Sequence, residues 1–472
     1  MLKRNPENGT LEPAAAERTT FSPDGHKITF YLRNDLFWSN GKKVTAEDYA
    51  YSLRRLLQPS QHGWLSDRLT LVKGGEEMRE GMLLAPSQVG IDAKDETTLV
   101  LELKRPSSLF LDLFSEPGTG PVDRRAIERN KNGWAKPENW VGNGPFVPVS
   151  MDERGMVLAK NPHHRLAASI RIDEVRVTWV ENGSSGVELY TNGSVDQFGL
   201  RDFGVPSNKV PRLAGRSDLL YEPDLRTVFL RLNAAKAPLS QVGLRQAMAM
   251  AIDRPLLLSS IGLSGESPAF SLIPSGIRGY EPPRGYLLSV LSAQKMIRDL
   301  GYCGKKKTEG ACKPFPLLTL IHPESEQKRK IALTVETMLK RNLGIEGIVV
   351  TQKSPDEFVR LVSAGEYTMA LDDLAVTPDR PFGFLEAFRT GRSTAGGFSS
   401  REFDQLLKEV EQSVEWNTAR GFIRRAESTI LRDGGIVPLF YATIPILISP
   451  AVTGYTPNLW DLHPFSDISL AP

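Results

Sequence analysis

The sequence of 472 residues contains little that would support chemistry at a metal or at an activated nucleophile. It has two cysteines and six histidines. The histidines are His26, His62, His163, His164, His322 and His463, and none of them forms a His-x-x-x-His pair. A Gly-x-Ser-x-Gly elbow, a phosphate loop and a dinucleotide fingerprint are also missing. These absences argue against a zinc hydrolase, an esterase of that type and a nucleotide-binding enzyme, and we expect no metal and no cofactor.

The sequence also lacks a charge excess and a long apolar run. Lys+Arg 58 against Asp+Glu 56 gives a net charge of +2, whereas nucleic-acid-binding proteins usually carry a basic excess or stripe. No apolar run reaches the roughly 18 residues of a membrane-spanning helix. The first residues, MLKRNPENGT, have no apolar core of a signal peptide. A composition of 40% hydrophobic and 24% charged residues is typical of a globular protein.

The two cysteines lie close together in the segment GYCGKKKTEGAC. A disulfide between Cys303 and Cys312 would close a small glycine-containing loop, as in proteins of oxidising compartments. Two free thiols in a surface loop explain the spacing equally well. Without nearby histidines the pair does not make a zinc site.

The segment from His26 to Pro59 has the pattern of a strand, a turn and a helix. Ile28, Phe30 and Leu32 alternate with polar residues, which predicts a half-buried strand. Asn-Gly at 40–41 is a strong turn signal. Thr45 followed by Asp48 resembles a capping box at the start of a helix with one apolar face. Every feature of this segment serves folding, and none of them is typical of a catalytic site.

Later segments alternate between helix and strand patterns. MVLAKNPHH and EVRVTWV read as strands, and QVGLRQAMAMAIDRPLL, at 241–257, reads as one helix. Ile331, Val335, Met338 and Leu339 mark the buried face of another helix. IEGIVVTQK, SPDEFVRLVSAG and YTMALDDLAV then predict a strand, a capped helix and a strand. This order is typical of β-α-β units.

Asp372 and Asp373 are unusual because they lie in a strand that otherwise reads as buried. Two interpretations remain open. The pair marks either the end of the strand at the surface, or charges that line a cleft.

Several motifs, in the same order, make the chain similar to the extracytoplasmic solute-binding proteins of peptide-type ABC importers, the oligopeptide- and dipeptide-binding family. The first is SPDGHKITFYLRNDLFWSNGKKVTAEDYAYSLRRL, which resembles the family's strand-turn-helix signature. The others are PENWVGNGPFVPV with LAKNP, LYTNGSVD, VFLRLNAAKAPLSQVGLRQAMAMAIDR, RDLGY, LKRNLGIE, SREFDQLLKEVEQS, and IVPLFY with VTGYTPN. Together they cover nearly the whole chain.

The resemblance implies an α/β fold of the type II periplasmic-binding-protein class, with two lobes joined by two crossing strands and a ligand held between the lobes. It assigns residues 1–120 to the extra subdomain of lobe I, 121–226 and 441–472 to the core of lobe I, and 227–440 to lobe II. LKRNPENGTLEPAAAE corresponds to a point inside the family pattern. We therefore expect a signal peptide and the first strand-bearing segment to be missing upstream.

The resemblance also places the ligand site on the segment YTMALDDLAVTPDRPFGFL. Peptide binders of the family usually have an aspartate four residues before the proline, where it pairs with the α-ammonium group of the ligand. Here that position is Thr377, and Asp373 or Asp379 would have to substitute for it. The cysteine pair of one branch is replaced by Arg226 and Ala375, and Arg226 is either a new partner for an anion or a structural residue. The expected ligand-binding residues are Asp373, Leu374, Ala375, Val376, Thr377, Asp379 and Arg226.

From the resemblance we expect a non-enzymatic, monomeric, periplasmic or cell-surface protein that delivers a peptide or peptide-like solute to the transmembrane subunits of an ABC permease. It implies no nucleic-acid partner. The alternative is a sensor or interaction protein that reuses the scaffold with an altered or lost peptide pocket. A hydrolase is a more distant alternative. It has only the sequence SAQK at 292–295 in its favour, without the companion motifs of penicillin-recognising enzymes.

Overall fold

The computed structural model describes residues 1–61, 63–82, 85–201, 203–263, 265–277, 279–303, 312–377, 382–395 and 398–471. The chain divides into two compact units. Unit 1 consists of Met1–Glu222, Gln412–Trp416 and Ile444–Pro472, and unit 2 of Pro223–Glu411 and Asn417–Thr443. Within the described stretches, every helix is too short or too polar to cross a membrane.

The first part of unit 1 is a four-stranded antiparallel sheet covered by a helix. Its strand order is β3-β4-β6-β5, and a separate hairpin joins β1 to β2. As the alternation predicts, Ile28, Phe30 and Leu32 of β4 are buried. The elements are β1 (Leu2–Arg4), β2 (Leu11–Pro13), β3 (Ala16–Phe21), β4 (Lys27–Leu32), α1 (Ala46–Leu56), α2 (Trp64–Leu69), α3 (Gly75–Arg79), β5 (Ile91–Ala93) and β6 (Thr98–Glu102).

Helix α1 begins with the capping box that the sequence predicts. The backbone N–H of Thr45 donates to Asp48 Oδ2 at 2.7 Å, and the Thr45 hydroxyl donates to the same oxygen at 3.0 Å. Asp48 therefore fixes the backbone at the point where the chain enters the helix.

We expect the substitution Asp48→Ala to lower the free energy of unfolding of unit 1 by about 1 kcal/mol, because the helix loses its capping interaction. Urea denaturation followed by tryptophan fluorescence measures this, since all seven tryptophans of the sequence lie in unit 1. The matched control is Glu47→Gln, one residue earlier and exposed, which keeps an oxygen for its partner Arg54 and should change the value by less than about 0.5 kcal/mol. Equal effects of the two substitutions would contradict the capping role of Asp48.

The second part of unit 1 contains a three-stranded antiparallel sheet in the order β7-β8-β9. Its last two strands confirm the predictions for MVLAKNPHH and EVRVTWV. The elements are α4 (Arg124–Asn130), β7 (Phe146–Met151), β8 (Gly155–Lys160), β9 (Glu174–Thr178), α5 (Gly183–Thr191), β10 (Gln197–Phe198) and α6 (Val210–Leu213).

Unit 2 is built on a mixed sheet with strands in the order β16-β11-β15-β13-β14, and β12 pairs with β16. Strand β13 is parallel to both β14 and β15, which confirms the β-α-β order read from the sequence. The elements are β11 (Leu219–Leu232), α7 (Val242–Met250), α8 (Arg254–Ile261), β12 (Ser267–Pro268), α9 (Val290–Asp299), β13 (Leu318–Pro323), α10 (Glu326–Leu343), β14 (Ile348–Lys353), α11 (Pro355–Ser363), β15 (Met369–Ala375), α12 (Gly383–Glu386), α13 (Arg401–Gln412), α14 (Trp416–Asp433) and β16 (Ile436–Ile448).

The prediction of one helix over 241–257 is wrong, because the structure has two helices there. Helix α7 ends at Met250, and the side chain of Asp253 then accepts a hydrogen bond from the Leu256 N–H to cap α8. Pro255 lies in the first turn of α8, where its missing N–H costs nothing. The periodicity runs across this break because Ala249 and Ile252 are both buried.

A disulfide joins Cys303 to Cys312 in unit 2, which decides between the two readings of the cysteine pair.

The chain returns to unit 1 through the second half of β16. It then forms β17 (Val452–Thr453) and β18 (Ser469–Leu470), which pair with each other. In this last segment Trp460 is buried, and the guanidinium of Arg4 stacks on its ring at 4.7 Å.

Candidate functional site

The predicted ligand-binding residues gather at the end of β15 in unit 2. Asp373, Leu374 and Ala375 are the last residues of this strand, and Val376 and Thr377 follow it. Arg226, on β11, lies directly opposite Ala375 in the antiparallel ladder, at the two positions that the resemblance paired. Asp379 lies outside the described residues.

Strand β15 leaves the core as it approaches this end. Its first residues, Met369, Ala370 and Leu371, are buried, whereas Ala375 and Thr377 are exposed. One edge of β15 pairs with β11 over its whole length. The other edge pairs with β13 only at Met369 and Ala370, so within the described stretches the rest of that edge has no strand partner.

The direction of the backbone groups shows which residues face this second edge. The N–H of Val376 donates to the carbonyl of Leu225 on β11 at 2.8 Å. Because successive residues of a strand turn their N–H and C=O groups to opposite sides, Ala375 and Thr377 present theirs to the other edge. The end of β15 is therefore a strand edge with exposed side chains and outward-facing backbone groups.

Next to this edge, the carboxylate of Asp373 is bonded to two basic side chains. Arg226 Nη1 donates to Asp373 Oδ2 at 2.9 Å, and Lys328 Nζ donates to Asp373 Oδ1. Arg226 Nε also donates to Asp224 Oδ2 at 3.0 Å. We refer to Arg226, Asp373 and Lys328 as the Asp373 cluster. Both carboxylates of the Asp372–Asp373 pair are partly buried and paired with cations, and both interpretations of the pair stay open.

Lys328 is a member of the cluster that sequence reasoning missed. It lies in the first turn of α10, where its N–H is accepted by the Ser325 side chain. Burial lowers the pKa of Lys328 to about 8, although the charge of Asp372 opposes this shift and the charge of Arg226 adds to it. The shift follows from the loss of solvent around the ammonium group, which keeps Asp373 as its direct partner. The sequence offered no signal for its role, because 45 residues separate it from Asp373.

Asp372 has a separate, structural partner. Arg231 Nε donates to Asp372 Oδ2 at 2.6 Å, and Arg231 Nη1 donates to the Thr394 carbonyl at 2.9 Å. The guanidinium also contacts the rings of Phe229 and Phe388, 5.0 and 5.1 Å from their centroids. This buried arginine ties β11 to β15.

In unit 1, Glu222, Asp461 and His463 form a group whose ligand atoms lie within 4.8 Å of one another, close enough to hold a metal ion. Burial alone would lower the pKa of His463, but hydrogen bonds to Asp461 and Glu222, together with their charges, raise it to about 9. The imidazole is therefore protonated at neutral pH, on the nitrogen that a metal would need. Glu222 also accepts from the Tyr455 hydroxyl and the Asn458 N–H. The arrangement works as a buried ion-pair network.

Comparison with known proteins identifies relatives along most of the chain. The family model of bacterial extracellular solute-binding proteins, family 5 (middle), matches residues 10–396. The periplasmic oligopeptide-binding protein OppA of Escherichia coli (strain K12) is 26% identical over 463 residues, which cover 95% of this chain and 82% of OppA. The dipeptide-binding protein DppE of Bacillus subtilis (strain 168) is 25% identical over 438 residues, which cover 91% of this chain and 78% of DppE.

A solved structure extends the likeness to the fold. The unliganded open form of the periplasmic murein tripeptide-binding protein MppA matches with a TM-score of 0.88 at 24% identity, covering 99% of this chain and 90% of that chain. This match confirms the predicted type II periplasmic-binding-protein fold of α/β class. Since the family model also matches most of the sequence, the chain belongs to the bacterial extracellular solute-binding proteins of family 5.

Proposed function

We propose that this chain is the solute-capturing component of an ABC importer and that its solute is a peptide or a peptide-like molecule. It binds the solute without transforming it and delivers it, as a monomer, to the transmembrane subunits of a permease. Family membership supports the role of solute binding. The relatives named for oligopeptides and dipeptides support the class of solute, and those named as periplasmic support a location outside the cytoplasmic membrane.

The observation that carries this proposal is the strand edge at the end of β15. An extended peptide can add to such an edge as a further strand, with main-chain hydrogen bonds supplying affinity for many sequences. Ala375 and Thr377 are exposed there and turn their backbone groups outward. The neighbouring Asp373, Leu374, Val376 and Arg226 complete the proposed site.

The direct test is a calorimetric titration of the chain with a pool of alanine peptides of three to five residues. We expect micromolar or tighter binding with a negative heat-capacity change, because the solute is buried. If no peptide of the pool binds, the proposal of a peptide solute is wrong, and a sensor or interaction protein is favoured. Turnover of a bound peptide would refute the non-enzymatic role.

A pair of variants at one position tests whether the strand edge is the binding element. Ala375→Pro removes an N–H that faces the unpaired edge of β15. The hydrogen bonds between β15 and β11 are kept, because the N–H of residue 375 points away from β11, a position that proline can occupy in an edge strand. We expect it to weaken peptide binding about tenfold or more, which corresponds to the loss of a main-chain hydrogen bond at about 1.4 kcal/mol. The matched control, Ala375→Val, keeps the N–H and should bind almost as well as the unchanged protein. Equal binding by both variants would contradict strand addition at this edge.

A further inference from the structure

Both oxygens of the Asp373 carboxylate accept hydrogen bonds from protein cations. Arg226 bonds one of its oxygens at 2.9 Å, and Lys328 bonds the other. An ammonium group arriving at the end of β15 would have to displace one of these cations and would be repelled by both. Asp373 is therefore in no position to replace the aspartate that peptide binders of the family use for the α-ammonium group. Thr377, at the position of that aspartate, has no charge to offer.

The outermost member of the Asp373 cluster is the arginine. The side chain of Arg226 is 35% exposed, whereas those of Asp373 and Lys328 are 18% and 21% exposed. Asp224, the second partner of Arg226, is almost completely buried, with 3% of its side chain exposed. A group that approaches this end of β15 therefore meets a guanidinium, with the two carboxylates behind it.

The guanidinium also has capacity left for a ligand. Arg226 uses Nε for Asp224 and Nη1 for Asp373, and these bonds hold its plane in a fixed orientation. Its remaining N–H groups can donate to a carboxylate, the planar anion that arginine binds best. Lys328 lies on the other side of Asp373 and adds a second positive charge nearby.

We propose that the Asp373 cluster recognises an anionic group of the solute, a carboxylate, through Arg226 and disfavours a free ammonium group at this end of β15. This inference rests on the proposed function and narrows its solute to peptides or peptide-like molecules that present a carboxylate here. Two sources of this carboxylate are chemically equivalent at the cluster: the terminus of the solute and an acidic side chain.

The test titrates the chain with tetra-alanine in four forms: free at both ends, acetylated at the amine, amidated at the carboxylate, and blocked at both ends. A fifth probe, also blocked at both ends, carries one glutamate. We expect acetylation to leave the affinity unchanged or improved, and amidation to weaken it about tenfold, as a charge-assisted bond implies. If the cluster instead binds the carboxylate of an acidic side chain, the blocked glutamate probe should bind about tenfold more tightly than blocked tetra-alanine.

Three variants locate the effect. Arg226→Gln should abolish the difference between the acid and the amide, and Arg226→Lys, which keeps the charge, should retain part of it. Lys330→Gln removes a charge from an exposed position two residues after Lys328 and should leave the difference intact. Thermal unfolding followed by circular dichroism verifies that each variant is folded.

The outcomes separate this inference from the function on which it rests. If the peptides bind but acetylation weakens their binding tenfold, the inference is wrong and the proposed peptide binding is retained. The same holds if neither a terminal carboxylate nor a glutamate side chain strengthens binding. The inference is also wrong if Arg226→Gln and Lys330→Gln change the preference equally. If none of the probes binds the unchanged chain, the proposed function fails and the inference with it.

Discussion

Replacing Arg231 with methionine is expected to lower the free energy of unfolding of unit 2 by about 3–5 kcal/mol, the usual effect of removing one partner from a buried ion pair. The side chain of Arg231 is only 5% exposed, and that of Asp372 is 17% exposed. Without the guanidinium, the carboxylate would stay partly buried opposite an apolar side chain. The Thr394 carbonyl would lose its donor at the same time.

Urea denaturation followed by circular dichroism measures this change, and tryptophan fluorescence in the same samples reports unit 1 as an internal reference. Adding Asp372→Asn to Arg231→Met should recover part of the loss, because the uncompensated charge is removed. The control is Arg360→Met, which breaks an exposed ion pair with Glu366 and should cost less than about 1 kcal/mol. A loss for Arg231→Met no larger than that of the control would contradict the structural role assigned to this arginine.

The ion-pair network of His463 should make the stability of unit 1 depend on pH. The folded state raises the pKa of His463 from 6.5 to about 9. Stabilisation by the protonated imidazole is therefore complete below about pH 6.5 and is lost as the pH rises through about 9. The difference between the two pKa values corresponds to about 3 kcal/mol. The side chain is only 12% exposed, so solvent screens this contribution little.

Urea denaturation between pH 6 and pH 9.5, followed by tryptophan fluorescence, measures the effect in the unit that contains the network. His463→Gln serves as the reference, because it keeps a hydrogen-bonding side chain but does not titrate. We expect the stability of the unchanged chain to fall toward that of the variant as the pH rises. Parallel curves for the two proteins would show that Glu222 and Asp461 do not hold a protonated imidazole.

The local structure could be predicted from the sequence where a regular spacing of apolar residues or a helix cap determines it. The alternation in β4 and the Thr45–Asp48 cap are patterns of neighbouring residues, and both are present in the structure. The break between α7 and α8 was missed because buried residues continue the helical period across it. The signal that could have revealed it was Asp253 two residues before a proline, which is typical of a helix start.

The candidate site could be predicted only in part. The resemblance brought Arg226 and Ala375 together, and the ladder between β11 and β15 pairs them. It could not show that Lys328 also contacts Asp373, because that contact depends on how α10 packs beside the sheet. The ion pairs Lys328–Asp373 and Arg231–Asp372 join residues that are separated by 45 and 141 positions, respectively. Such distant contacts produce no periodic pattern in a sequence. The domain boundaries and the ligand-binding roles stay predictions.

Hydrogen exchange at the end of β15 tests directly whether a solute adds to this edge through its main chain. The tightest-binding peptide of the alanine pool would be added at saturation, and exchange would be followed by mass spectrometry over residues 371–377. We expect amide exchange in this segment to slow markedly on binding, because the outward N–H groups of Ala375 and Thr377 gain partners from the peptide. Binding of the peptide with unchanged exchange in this segment would contradict it.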